Sequence, residues 1–252
     1  MKDAPSPLDL LSQPAVHELA QVVRQRRATP HFLPDPVPED VLNAVLSLGA
    51  EAPSGFNFQP WRFLVLRSPE QRARLRAAAF DQAKITEAPA VIVALADRVG
   101  WKGKVDEILK TKARRKGRPE KGVEQQKRDA LAFIDQSSPA VWLTRQVMIA
   151  FTYLMLTAEF LGWDTAPMEG FDPVAVRDIL KLPATTEVIA LLAIGRAADR
   201  EQREHPGRLS TDQIAFDDHY GTPWPFPPVP AGDPASPASF IKQSALPVSI
   251  QF

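Results

Sequence analysis

Two uninterrupted apolar runs constrain this chain more than any other feature. Residues 90–96 read "AVIVALA" and residues 188–194 read "VIALLAI". Both have the length of a strand, and neither alternates with polar residues, so both faces must be covered. Helical patterns surround them. Residues 17–27 predict a helix with Leu19, Val22 and Val23 as its apolar stripe. Residues 38–50 predict another: proline sits near its first position, Glu39 and Asp40 suit the N-terminal dipole, and Val41, Leu42, Val45, Leu46 and Leu48 form a buried face. Pro53 ends that helix, and residues 63–66 form a short strand. A long helix is expected over residues 139–161, with Ser137 and Ser138 as caps and Gly162 as its stop. A short one follows over 172–180. Few strands among many helices mean α/β or α+β, with the sheet sandwiched between helices.

A chain of 252 residues fits one domain and buries a sizeable core without disulfide or metal staples. Thirty basic and thirty acidic residues balance, which argues against a general polyanion binder. With no cysteine, thiol catalysis, thiolate zinc and disulfides are excluded. The N-terminal "MKDAPSPLDLLSQPAVHELA" lacks the apolar core of a signal peptide, and residues 147–160 are shorter than the ~20 a membrane span needs. A soluble, cytoplasmic protein is the expectation. Seven of the prolines fall between Pro223 and Pro237, which suggests an extended arm or a proline-rich ligand rather than a packed element.

The usual chemical signatures are missing. The chain contains no GxGxxG, phosphate-binding GxxxxGK[ST] or GxSxG, and its four histidines make no helical metal pair, so no metal site is expected. A bound cofactor would then carry any reaction. Three segments suit one. Arg24, Arg26 and Arg27 close the first helix, where they either offset its dipole or grip a phosphate. "EAPSGFNFQPWRFLVL", residues 51–66, sets Ser54, Asn57 and Gln59 between prolines: neutral donors and acceptors for a heteroaromatic edge, or a plain helix-to-strand turn. "APMEGFD", residues 166–172, pairs a stiff Pro167 with a permissive Gly170, or simply caps the next helix through Asp172. Residues 102–121 stand apart, with nine lysines and arginines against three acids. They form a solvated helix pair or a lid that attracts a phosphorylated substrate such as NADPH.

In this order and spacing, "RQRRATPHF", the APSGFNFQPW segment, "APMEGFD" and "ILKLPATTEVIALLAIG" resemble the FMN-dependent nitroreductase family, from Arg24 to about Tyr220. The resemblance implies an α+β, three-layer fold with a mixed central sheet, in an intertwined homodimer with FMN at the subunit interface. It assigns residues 1–220 to one FMN-binding domain, variable over 102–121, and 221–252 to a proline-rich extension. Arg24, Arg26, Arg27 and Ala28, together with Arg208 in "PGRLS", would lie at the FMN phosphate; the family often has serine where this chain has Ala28. Pro53, Ser54, Gly55, Asn57 and Gln59 would reach the flavin of the partner subunit. "FDQAK" suggests Asp81, Gln82 and Lys84 on the pyrimidine side, and Pro167, Met168, Glu169 and Gly170 along the ring. The implied catalytic set is Glu169 or Gly170, through a backbone N–H near the flavin N5, and Lys84, countering negative charge on the reduced ring. The implied activity is ping-pong transfer of hydride from NAD(P)H to electron-poor acceptors such as nitroaromatics or quinones, with no nucleic acid or membrane partner. Alternatives are a specialised relative (enone reductase, dehalogenase or flavin-modifying enzyme), a flavin-binding protein with little turnover, and a flavin-free interaction protein.

Overall fold

The computed structural model describes residues 14–199 and 206–225. The chain divides into two compact units, residues 1–201 and 202–252.

In the first unit the two apolar runs are the central strands, as their composition requires. β1 (Trp61–Leu66), β2 (Ala90–Asp97), β3 (Asp164–Met168) and β4 (Thr186–Gly195) form one sheet in the order β1-β2-β4-β3. Each neighbouring pair is antiparallel, with Val93 opposite Leu64 on one side and Leu191 on the other. The mixed sheet implied by the resemblance is therefore antiparallel across its four strands. β2 and β3 do run the same way, but β4 lies between them, so they never share hydrogen bonds. Among the described residues, the one parallel contact is an isolated bridge from Ala28 to Thr165 at the β3 edge.

Alternate residues of β2 feed two separate cores. Ile92, Ala94 and Ala96 pack with α2 (Glu39–Ala50), α5 (Val105–Arg115), α6 (Val123–Gln136) and α7 (Pro139–Phe160). Val91, Val93 and Leu95 pack with α3 (Pro69–Ala78), α4 (Lys84–Glu87) and α8 (Pro173–Ile179). The result is helices, sheet, helices. α7 is long and apolar enough to cross a membrane by length and composition, yet it lies in the first core through Trp142, Leu143, Val147, Ala150, Phe151 and Leu154.

Several local expectations hold and several do not. Asp172 caps α8 by accepting from the N–H groups of Val174 and Ala175, and Gly162, at φ 78°, stops α7. Ser138 makes no cap bond, and Ser137 donates back to the Phe133 carbonyl at the end of α6. On α2 the buried positions are Leu42, Val45 and Gly49, while Leu48 is exposed. The phase is set by Gly49, where α7 approaches so closely that a Cβ would lie 2.2 Å from the Leu154 Cδ2. α1 (Pro14–Gln25) also departs: Leu19 and Val23 of its apolar stripe are 60% and 54% exposed.

In the second unit, α9 (Thr211–Ile214) begins where the Gln213 side chain accepts from the Ser210 N–H at 3.2 Å. Phe216 bridges to Pro223. The proline-rich arm beyond residue 225 lies outside the described residues.

Candidate functional site

The loop between α2 and β1 is held in an unusual conformation. Phe56, Asn57 and Gln59 all take left-handed φ values, 58°, 63° and 46°. Such residues cost of order 1–3 kcal/mol each and persist only where their surroundings over-determine them. Here they do. Ser54 Oγ accepts from the Gln59 N–H at 3.0 Å, Gln59 Nε2 donates to the Asn57 carbonyl at 3.1 Å, and the Gly55 N–H donates to Gln146 Oε1 on α7 at 2.8 Å. Gly55 also sits so close to Trp142 that a Cβ would meet its Nε1 at 3.0 Å. Rings continue the brace: Phe133 to Phe56 at 5.9 Å, Phe56 to Phe58 at 5.3 Å, Phe58 to Trp101 at 5.2 Å and Trp101 to Trp142 at 5.4 Å. Among the described residues the exposed Asn57 amide alone in this set has no protein partner.

A second strained turn lies on the other face of the sheet. Phe80 and Asp81 have φ 53° and 55°, so the two turns hold five of the eight non-glycine residues with positive φ among the described residues. Arg76 fixes this turn, its Nε 2.6 Å from Asp81 Oδ1 and its guanidinium donating to Thr86 Oγ1 at 3.0 Å. Buried Arg72 donates to the carbonyls of Thr86 and Ala88, and burial lowers its pKa. Gln82 then reaches across the chain: its Nε2 donates to the Gly170 carbonyl at 2.7 Å and to that of Ala79 at 3.1 Å. Asp172 N–H donates to the Ala78 carbonyl at 2.8 Å, so the loop after β3 is tied at two points. Glu169 and Gly170 are exposed there, and among the described residues neither N–H has an acceptor. Lys84, half-buried at the start of α4, has no carboxylate partner among them either.

Gln82 and Gly170 thus come together, each beside its sequence neighbour Asp81 or Glu169, with Met168 buried at the end of β3. The arginine segment joins the same edge: Ala28 bridges to Thr165, and the Thr29 N–H donates to the Thr165 carbonyl at 3.0 Å. Arg24 is exposed, while Arg27 turns back to donate to the carbonyls of Arg24 and Arg26, closing α1. Pro53, Ser54, Gly55, Asn57 and Gln59 do not join them. They precede β1, the opposite edge of the sheet, roughly 14 Å away by strand spacing, and belong to the other core. Arg208 lies in the second unit, where it donates to the Gly207 carbonyl at 2.6 Å. The basic segment follows a short 3-10 turn (Gly100–Lys104) into α5, and both face the 57–59 loop across a groove of about 770 Å³. Sequence patterns missed Arg72, Arg76, Trp142 and Gln146, which hold the two turns from distant elements.

The nitroreductase family model matches residues 23–196, more than half of the chain. A Thermus thermophilus protein named NADH dehydrogenase is 37% identical over 192 residues, covering 76% of this chain and 92% of its own. YdgI of Bacillus subtilis, assigned as an NAD(P)H nitroreductase, is 31% identical over 206 residues, covering 79% of this chain and 97% of its own. A solved nitroreductase of Exiguobacterium sibiricum in complex with FMN superposes with a TM-score of 0.69 at 26% identity, over 78% of this chain and 95% of that one. The chain belongs to the nitroreductase family of oxidoreductases.

Proposed function

We propose that this protein is an FMN-dependent oxidoreductase that takes hydride from NAD(P)H and reduces electron-poor acceptors, nitroaromatics or quinones, with both using one slot in turn. The observation that carries it is the pair of acceptor-free N–H groups at Glu169 and Gly170, held in place by Gln82 with Lys84 close by in sequence. Two adjacent donors on a loop tied down at both ends suit a planar heteroaromatic edge, and a half-buried ammonium without a carboxylate suits one that gathers negative charge.

These residues fit FMN. Arg24, Arg26 and Arg27 would hold its phosphate, with Ala28 alongside. Asp81, Gln82, Lys84, Pro167, Met168, Glu169 and Gly170 would hold its ring. The Gln82 amide hydrogens are already committed to Gly170 and Ala79, which leaves its carbonyl oxygen for a ligand. Asp81 brings less charge than its type implies, because Arg76 neutralises it. Bound FMN would supply the redox chemistry, accepting hydride from the nicotinamide and passing electrons to the acceptor. The chain's work is orientation and electrostatics, so no acid–base pair is required.

Pro53, Ser54, Gly55, Asn57 and Gln59 would complete the site from a second subunit. One protomer keeps them at the far edge of its own sheet, which supports a homodimer with the cofactor between subunits. The test is the visible spectrum of the purified protein under anaerobic conditions, before and after NADPH and then NADH. A yellow protein that bleaches promptly is expected. A colourless protein that takes up no added FMN would sink the reading. Specialised chemistry on the same scaffold, such as enone reduction, separates by which acceptor restores the colour.

A further inference from the structure

We propose that the groove between α5 and the 57–59 loop binds the 2′-phosphate end of NADPH and makes this chain prefer NADPH to NADH. The inference rests on the reading that Asn57 and Gln59 border the flavin. α5 divides cleanly: Val105, Leu109 and Ala113 are buried, four residues apart, and Ile108, Thr111, Lys112 and Arg115 form a second stripe that lines the groove, with Lys104 just before the helix. Arg62 and Lys116 complete its cations, and Glu107 is its one acid.

Partnership separates these charges. Arg62 pairs with Asp97 at 2.9 Å, and Lys104 pairs with Glu107 at 3.4 Å. Arg114, which does not line the groove, lies 3.7 Å from Glu120. Among the described residues, Lys112, Arg115 and Lys116 have no carboxylate within ion-pair distance. Cations near a helix C-terminus offset the dipole by ~0.3–1 kcal/mol each, which accounts for their tolerance there but not for their gathering on one groove. An arginine fork beside two ammonium groups matches a phosphate monoester dianion.

The spacing fits as well. Trp101 stacks on Phe58 at 5.2 Å and pins the start of the basic segment to the loop. From Lys104, Lys112 and Lys116 lie roughly 12 and 18 Å along the helix axis. A dinucleotide with its nicotinamide at the Asn57 end would carry its adenosine phosphate to that region.

The test is the triple variant K112Q/R115Q/K116Q; all three residues are exposed, so folding should survive, and a thermal melt checks it. The NADPH/NADH ratio of kcat/KM for flavin bleaching should fall about tenfold or more. Separately, calorimetry on the parent should show adenosine 2′,5′-bisphosphate binding tighter than ADP, with that margin lost in the variant. Calorimetry needs no turnover, so it reads the groove even if the flavin chemistry fails. An unchanged ratio, or equal binding of the two nucleotides by the parent, overturns the proposal. So does a variant that loses only the turnover of anionic acceptors, because the groove would then serve the acceptor.

Discussion

Asn57 carries two burdens that a substitution can separate. Its left-handed backbone is strained, and among the described residues its side chain is the one polar side chain of the 53–59 loop without a protein partner. Glycine accepts φ 63° without a Cβ clash, so Asn57→Gly should keep the apoprotein's stability within about 0.5 kcal/mol or raise it. FMN affinity should nevertheless fall, by about tenfold if the amide makes one good hydrogen bond to the ring. A thermal melt of the apoprotein and an FMN fluorescence titration read the two effects independently. Unchanged FMN affinity would make this loop structural only. Gln82 gives a complementary case. Gln82→Leu removes the bond to the Gly170 carbonyl and should weaken FMN by about fivefold, the equivalent of about 1 kcal/mol, without any direct loss at the phosphate. The control is Arg72→Met, which strips the charged donor from the Thr86 and Ala88 carbonyls and should lower global stability by about 3 kcal/mol, seen in urea unfolding.

Elements meet where the smallest side chains let them, and Gly49 shows it. Gly49→Val would push into Leu154 and should cost about 1–3 kcal/mol in urea unfolding, because α2 and α7 cannot separate without opening the core. That glycine also explains what could be read in advance. The central strands were legible because a run such as residues 90–96 has one sensible environment. Leu48 was not, since a glycine on the contact face contributes nothing to an apolar count yet decides the phase of α2. Ser137 and Ser138 satisfy the rule for a helix start, but two helices meet there and Ser137 serves the earlier one. For the candidate site, motif order singled out both segments, whereas the supports of their turns were invisible: Gln146 lies 91 residues from Gly55, and Gln82 lies 88 from Gly170. The α5–α6 hairpin was foreseen in part, as a helix pair over residues 102–121, but what ties it was hidden. Its tie is Asp106 to Lys127, whose hydrogen bond and charge raise the lysine pKa above its ordinary 10.5. That contribution is fully present below the ordinary value and is lost as pH rises through the raised one, so the hairpin should stay insensitive to pH near neutrality.

At the scale of the whole molecule, the proposed site poses a problem of distance that a second copy would solve. One protomer holds the 79–84 and 165–170 segments at one edge and face of its sheet, and the 53–59 loop at the other. Among the described residues no side-chain hydrogen bond or ion pair joins the two. At the same time α1 exposes Leu19 and Val23, and α7 exposes Ile149, Tyr153 and Phe160, the last 62% exposed. Ile149 and Tyr153 are one helical turn apart, and each would gain about 1–2 kcal/mol from burial of its exposed part. If these faces join two protomers, one contact both hides the apolar surface and brings the two halves of the site together. Ile149→Asp with Tyr153→Asp would then place two charges in the joint without touching either turn. The variant should sediment as a monomer, keep its secondary structure by circular dichroism, and bind FMN at least a hundredfold more weakly than the parent, or about 3 kcal/mol. A variant monomer that still binds FMN like the parent would show that one chain builds the whole site. A variant that remains dimeric with full FMN affinity would place the subunit contact on some other face.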